Sequence, residues 1–232
     1  MKQNRKHNPP KPDQKDRAIT ITRAVISAIP TIGGPAVEIF AALVTPPLEG
    51  RRQEWMSEIG EALSKLEEDN EINFELLQKN EVFIDTLLQS SQIALRNSQT
   101  EKLEALKNAI INSALPEPPD QATQFIFLRN IDEITEWHIR ILKLFQSPEE
   151  WFNEHGINHK IFELGGLDNI LVKAYPQLAG KRTLYDRIWN DLYSRGLTNT
   201  EHLYTMLGRS GLMAKRTSEL GDEFLKFIEK PV

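Results

Sequence analysis

The chain has 232 residues, 40% of them hydrophobic and 26% charged, with a formal net charge of -5 at pH 7, enough apolar side chain for one large core or two small ones. It has no cysteine, which excludes disulfides, thiolate nucleophiles and cysteine-ligated zinc and fits a reducing compartment such as the cytoplasm. The charge is uneven: Lys2, Arg5, Lys6, Lys11 and Lys15 make the start basic, while the stretch from Glu54 to Glu104 is mostly acidic.

Residues 1–16, MKQNRKHNPPKPDQKD, read as a disordered basic arm, and no small-residue cleavage pattern follows to make a signal peptide. The apolar run AVISAIPTIGGPAVEIFAALV, residues 24–44, carries one charge, Glu38. A helix over 18–29 must stop before Pro30, Thr31 to Pro35 form a turn, and a second short helix covers 35–44. A spanning helix needs about 20 continuous apolar residues, so a run divided at Pro30 and at Gly33-Gly34-Pro35 predicts a hairpin of two short helices. Two readings of that hairpin stay open: a packed piece of core, or an insert that enters a membrane on activation through Ile29, Ile32, Val37, Ile39, Phe40 and Leu43.

Thr45 as cap and Pro46 as first helical residue predict a new helix, with Leu48, Trp55, Ile59, Leu63 and Leu66 on one face. Residues 71–96 predict another, carrying Phe74, Leu77, Ile84, Leu88 and Leu95, with Asn80 a candidate break. Ser98-Gln-Thr-Glu101 has the spacing of a capping box and opens a helix with Leu103, Leu106, Ile110 and Ala114. After the proline linker at 115–120, residues 121–146 predict one helix with Leu128, Ile131, Ile134, His138, Ile141 and Phe145 inward. Ser147-Pro148-Glu149-Glu150 starts a short one.

Past Gly156 the texture changes. Helices are expected over 167–175 and over KRTLYDRIWNDLYSRGL, where Leu184, Ile188 and Leu192 lie one turn apart and Gly196 is the stop. LYTMLGRSGLMAKR predicts two strands around a Gly208-Arg-Ser-Gly211 turn, and TSELGDEFLKFI a last helix. Helix, helix, hairpin, helix is the order of a winged helix. NDLYSRGLTN, the candidate wing and TSELGDEFLKFI resemble the ending of many bacterial winged-helix domains. The whole layout is similar to uncharacterised bacterial proteins of the abortive-infection alpha type, which implies a place in phage defence and no mechanism.

Chemistry-bearing patterns are sparse. Neither Thr31-Ile-Gly-Gly-Pro35 nor Leu164-Gly-Gly-Leu167 has the spacing or the lysine of a phosphate loop. His155 and His159 stand four apart, a helical metal-ligand spacing, but Gly156 lies between them and no third ligand is near. His138, on an apolar stripe, reads as a core histidine with a satisfied nitrogen. No nucleophile elbow appears.

The expected fold is mainly α: a helical bundle over 18–146 and a winged-helix-like module with a short β-hairpin over 157–230. The expected function is that of a non-enzymatic interaction protein without cofactor or metal, cytoplasmic, whose terminal module recognises a protein partner. DNA is the other ligand class, since a winged helix places its second helix in the major groove. The contact residues for either are Lys181, Arg182, Arg187 and Asn190 on that helix and Arg209, Lys215 and Arg216 in the wing. From His159 onward nine acids face eleven lysines and arginines, which favours protein over DNA. The alternative is a membrane-perturbing effector that inserts the 24–44 hairpin.

Overall fold

The computed structural model describes residues 35–159, 161 and 163–231, and the side chains of all these except 35–42 and 46. The expected helix over 18–29, the turn after it, and Ile29 and Ile32 lie outside the described residues. The rest is mainly helical, with one small antiparallel two-stranded sheet.

The first element, α1 (Pro35–Glu68), corrects the expected break at Thr45: the helix runs through Pro46 and Pro47 without interruption. Neither proline has an N–H, so the carbonyls of Ala42 and Leu43 lose their helical donors. Leu43, Val44, Thr45 and Pro47 are all exposed, so water can reach those two carbonyls and the helix tolerates the loss. At about 1.5 Å per residue α1 is roughly 50 Å long, yet among its described side chains the first buried one is Trp55. From there Trp55, Ile59 and Leu63 are buried and Leu66 packs at the margin, as the heptad spacing predicts. Trp55 Nε1 donates to Ser91 Oγ at 3.0 Å.

Asn80 does break the next stretch, into α2 (Phe74–Leu77) and α3 (Glu81–Leu95), by accepting the Phe83 N–H in its side chain. This cap resets the phase. The buried residues of α3 are Phe83, Thr86, Leu87, Ser90, Ser91, Ile93 and Ala94, not the expected Ile84, Leu88 and Leu95, which are half-buried. The helix α4 (Thr100–Ala114) is capped by Gln99 with no side-chain hydrogen bond, so the expected Ser98–Glu101 box does not form. Glu101 instead accepts from Arg140 across the bundle.

The helix α4 is the hub, touching α1, α3, α5 (Gln121–Glu133), α6 (Glu136–Gln146) and α11 (Glu219–Ile228). Ala105 and Ala109 on its buried face let neighbouring backbones approach closely. Residues 121–146 form two helices rather than one, because Thr135 caps α6 and His138 returns a ring nitrogen to the Thr135 N–H. The predicted inward residues are all buried nonetheless. Next come α7 (Pro148–Glu154), β1 (Leu164–Gly165), α8 (Leu167–Ala174), α9 (Arg182–Ser194), β2 (Leu207–Gly208), α10 (Arg209–Leu212) and α11.

One contiguous set of buried side chains runs from Trp55 to Ile228. The last helix is held by the hub: Asn112 Nδ2 donates to the carbonyls of Lys226, Phe227 and Glu229, and Asn108 Nδ2 to that of Ile228. These are the C-terminal carbonyls that a helix leaves without internal donors.

The expected hairpin is replaced by a different pairing. β2 pairs with β1, Leu164 opposite Gly208 and Gly165 opposite Leu207, while Arg209–Leu212 winds into one helical turn that buries Leu212. Gly208 is the N-cap of that turn, so the glycine marks a helix start and not the corner of a β-turn. A separate bridge joins Thr198 and Thr217.

Candidate partner-binding surface

Two-residue strands fix side-chain direction by alternation. In the β1–β2 ribbon Gly165 is buried and Leu207 half-buried on the inner side. Leu164 and, continuing the alternation one residue before β2, Met206 therefore share the outer side. They occupy a diagonal cross-strand position, roughly 7–8 Å apart and within reach of long side chains. Each is 67% exposed, and Ile161 just upstream is 59% exposed.

The ribbon is pinned to α8 through Gly166. A Cβ there would come 2.9 Å from the Leu203 carbonyl oxygen and 3.3 Å from Tyr204 Cα, and the Leu167 N–H closes the approach with a 2.7 Å bond to that same oxygen. Only glycine lets the 203–204 backbone come so near. Tyr204 is thereby set against the start of α9. Its hydroxyl donates to Asp186 Oδ1, and the Arg182 guanidinium lies 4.0 Å over its ring. Burial and the bond to Asp186 push the Tyr204 hydroxyl well above the ordinary tyrosine range, so it stays a donor at neutral pH. Arg182, a cation at any accessible pH, is pushed further in that direction by Tyr204 and Asp186.

The residues expected to contact a partner divide into two groups. Lys181, Arg187 and Asn190 on or beside α9, and Arg209 at the start of α10, are exposed. Arg182 is exposed too but engaged with Tyr204 and, at 3.4 Å, with Asp186. Lys215 is paired with Asp222. Arg216 is half-buried; its Nη2 donates to the Gly211 carbonyl and its main-chain N–H to the Phe145 carbonyl at 2.8 Å. These two hold the α10–α11 connection in place. Of the residues expected to enter a membrane, Val37, Ile39 and Phe40 lie on α1 with side chains outside the description, and Leu43 is 71% exposed.

The sequence reading missed Ile161, Leu164, Tyr204 and Met206. Strands of two residues are too short to show a period of two, and a methionine beside a leucine reads as core. The histidine pair is accounted for separately: His155 stacks on Trp151 at 3.7 Å and His159 meets Glu149 at 3.2 Å. Among the described residues no group of three or more His, Asp and Glu is disposed to hold a metal ion.

A cleft of about 680 Å³ lies between the proline linker and the end of α11. Its rim carries Glu117, Asp120, Glu223 and Glu229 against Lys226 and Lys230, an excess of carboxylates with no aromatic or metal-ligating cluster among the described residues to define a ligand. Comparison with family models, with curated proteins and with solved structures finds no match.

Proposed function

We propose that the protein is a non-enzymatic interaction protein whose C-terminal part recognises a protein partner. The observation that carries the reading is the outer side of the β1–β2 ribbon, where Leu164 and Met206 stand exposed, Met206 two residues from Tyr204, whose ring carries the Arg182 guanidinium. Aromatic residues, methionine and arginine are the side chains enriched in interface cores, and tyrosine and arginine are frequent hot spots. The DNA reading is the weaker one, because Lys215 and Arg216 of the expected wing already have partners within the chain. The likeness of the chain's whole layout to abortive-infection alpha proteins supports a role in phage defence, and the absence of cysteine fits the cytoplasm.

The test is recovery of a partner by the full chain from its native host, comparing wild type with Leu164→Asp and Met206→Asp. Both positions are exposed, so both variants should melt as wild type does while losing the partner. A gel-shift arm at two salt concentrations runs beside it. DNA binding that weakens with salt, by about one log–log unit of slope for each phosphate contact, together with unchanged protein recovery, would reverse the assignment.

A second reading is favoured by the first turns of α1, where Leu43 and Val44 are exposed and Glu38 is the only charge between residues 24 and 48. No helix of the described residues is long and apolar enough to cross a membrane. This reading is of an apolar segment lying in a lipid interface, followed by Arg51 and Arg52. Glu38→Leu should then raise flotation with anionic liposomes and Ile39→Asp lower it, with folding checked by circular dichroism. Equal inertness of both variants and wild type at acidic and neutral pH removes the membrane reading.

A further inference from the structure

His138 is 6% exposed and sits one turn into α6, where Nδ1 is committed to Thr135 and Nε2 faces a carboxylate. Nδ1 lies 3.1 Å from the Thr135 backbone nitrogen and 2.9 Å from Thr135 Oγ1. A backbone N–H can only donate, so Nδ1 is the acceptor and the proton of the neutral ring resides on Nε2. Nε2 lies 3.2 Å from Asp191 Oδ2 on α9. That separation is an ion pair's, but its direction does not make a full hydrogen bond, so the contact is chiefly electrostatic.

The same carboxylate oxygen is 3.3 Å from Arg195 Nε. Arg195 continues the chain of contacts, Nη1 reaching Glu133 Oε2 at 3.0 Å and Asn130 Oδ1 at 3.1 Å on α5. The junction is rich in donors: Asn130 Nδ2, His138 Nε2 and Arg195 Nε are all buried without a hydrogen-bond acceptor. Buried polar groups left in this condition are costly.

A second proton on His138 has only Nδ1 to occupy. There it turns the acceptor of the Thr135 N–H into a donor, which removes the reciprocal bond at the N-terminus of α6. It also places a positive charge in a site whose other charged groups are Arg187, Arg195 and Asp191 on α9 and, through Arg195, Glu133 on α5. One carboxylate would then serve two cations.

We propose that His138 is an acid-sensitive latch between α6 and α9, closed while its ring is neutral and loosened when the ring takes up a second proton. The direction of titration agrees. Burial outweighs the attraction of Asp191 and holds the ring's pKa below the ordinary histidine value. A released ring therefore binds protons more readily than the latched one. The latch contributes its full stability above about pH 6.5 and loses it as pH falls toward the depressed value. This inference stands independently of the partner reading.

The test uses the full chain and His138→Gln, which keeps an acceptor at the capping position and does not titrate. Between about pH 7.5 and about pH 5, wild type should lose at least about twice as much in Tm as the variant. Its α9 amides should also exchange several-fold faster than intrinsic pH effects allow. A titration of the wild-type imidazole signals by NMR should place His138 below the free-histidine value. Equal losses of Tm in the two proteins, or a His138 titrating at or above that value, would overturn the latch. Should the variant fail to fold, the wild-type titration decides alone.

Discussion

Phe127→Ala should lower the unfolding free energy by about 3–5 kcal/mol and should do so in one transition that removes both ends of the chain together. Phe127 is fully buried on α5. Its ring packs edge-on against Phe224 at 5.4 Å and tilted against Phe227 at 5.6 Å, both on α11. Truncation leaves a cavity where the hub bundle meets the terminal helix, and such pairs carry roughly 0.5–1.5 kcal/mol beyond their buried area. Denaturant unfolding followed by far-UV circular dichroism and by tryptophan emission checks both parts of the expectation. Two separate transitions, or a loss confined to the C-terminal third, would show that the aromatic contact joins units that fold apart.

Gly221→Ala should destabilise by roughly 1–3 kcal/mol, against the sign that helix propensity gives. Within α11 the propensity change from glycine to alanine would favour folding by about 0.8–1 kcal/mol. A Cβ at position 221, however, would lie well inside contact distance of the Leu197 carbonyl oxygen and 3.0 Å from its carbon. That oxygen cannot swing aside, because it also accepts the Ser218 N–H at 3.1 Å. The whole of α11 would have to lift. Gly60 in α1 is the internal control: nothing lies within 4 Å of its would-be Cβ, so Gly60→Ala should stabilise by about 0.5–1 kcal/mol. Opposite signs at the two glycines, read as shifts in the denaturation midpoint, distinguish close packing from propensity. The same sign at both would contradict the packing described.

Much of the helical layout was legible because its signals are local. The Trp55, Ile59 and Leu63 stripe, the proline at the first position of α7, and Gly196, which has φ of +71° just after α9, each rest on spacing or on one residue's backbone preference. What the sequence concealed depends on distant partners. Ser98 and Glu101 have capping-box spacing, but Arg140, far along the chain, takes the Glu101 carboxylate. His138 looked like a core histidine and is one, yet its ring also ends the preceding helix by serving Thr135. Pro46 looked like a start and lies inside a helix. The ribbon was invisible for a related reason: Leu164 and Gly208 meet across more than forty residues of chain, and no local pattern announces a strand of two residues. Among the candidate contacts, Arg182 and Arg209 could be picked out by charge. Leu164 and Met206 could not, because an exposed apolar residue is recognised only once its surroundings are known.

The account's central claim is that the outer side of the β1–β2 ribbon receives a protein. The most direct measurement is photo-crosslinking in the native host from an unnatural side chain placed at Met206, with a second placed at Leu76 on α2. Leu76 is 68% exposed and equally apolar, and so controls for general stickiness. The account predicts one discrete protein adduct from position 206, absent from position 76 and abolished when Leu164→Asp is added to the same chain. Equal labelling from both positions, or an adduct at 206 that survives Leu164→Asp, would contradict it.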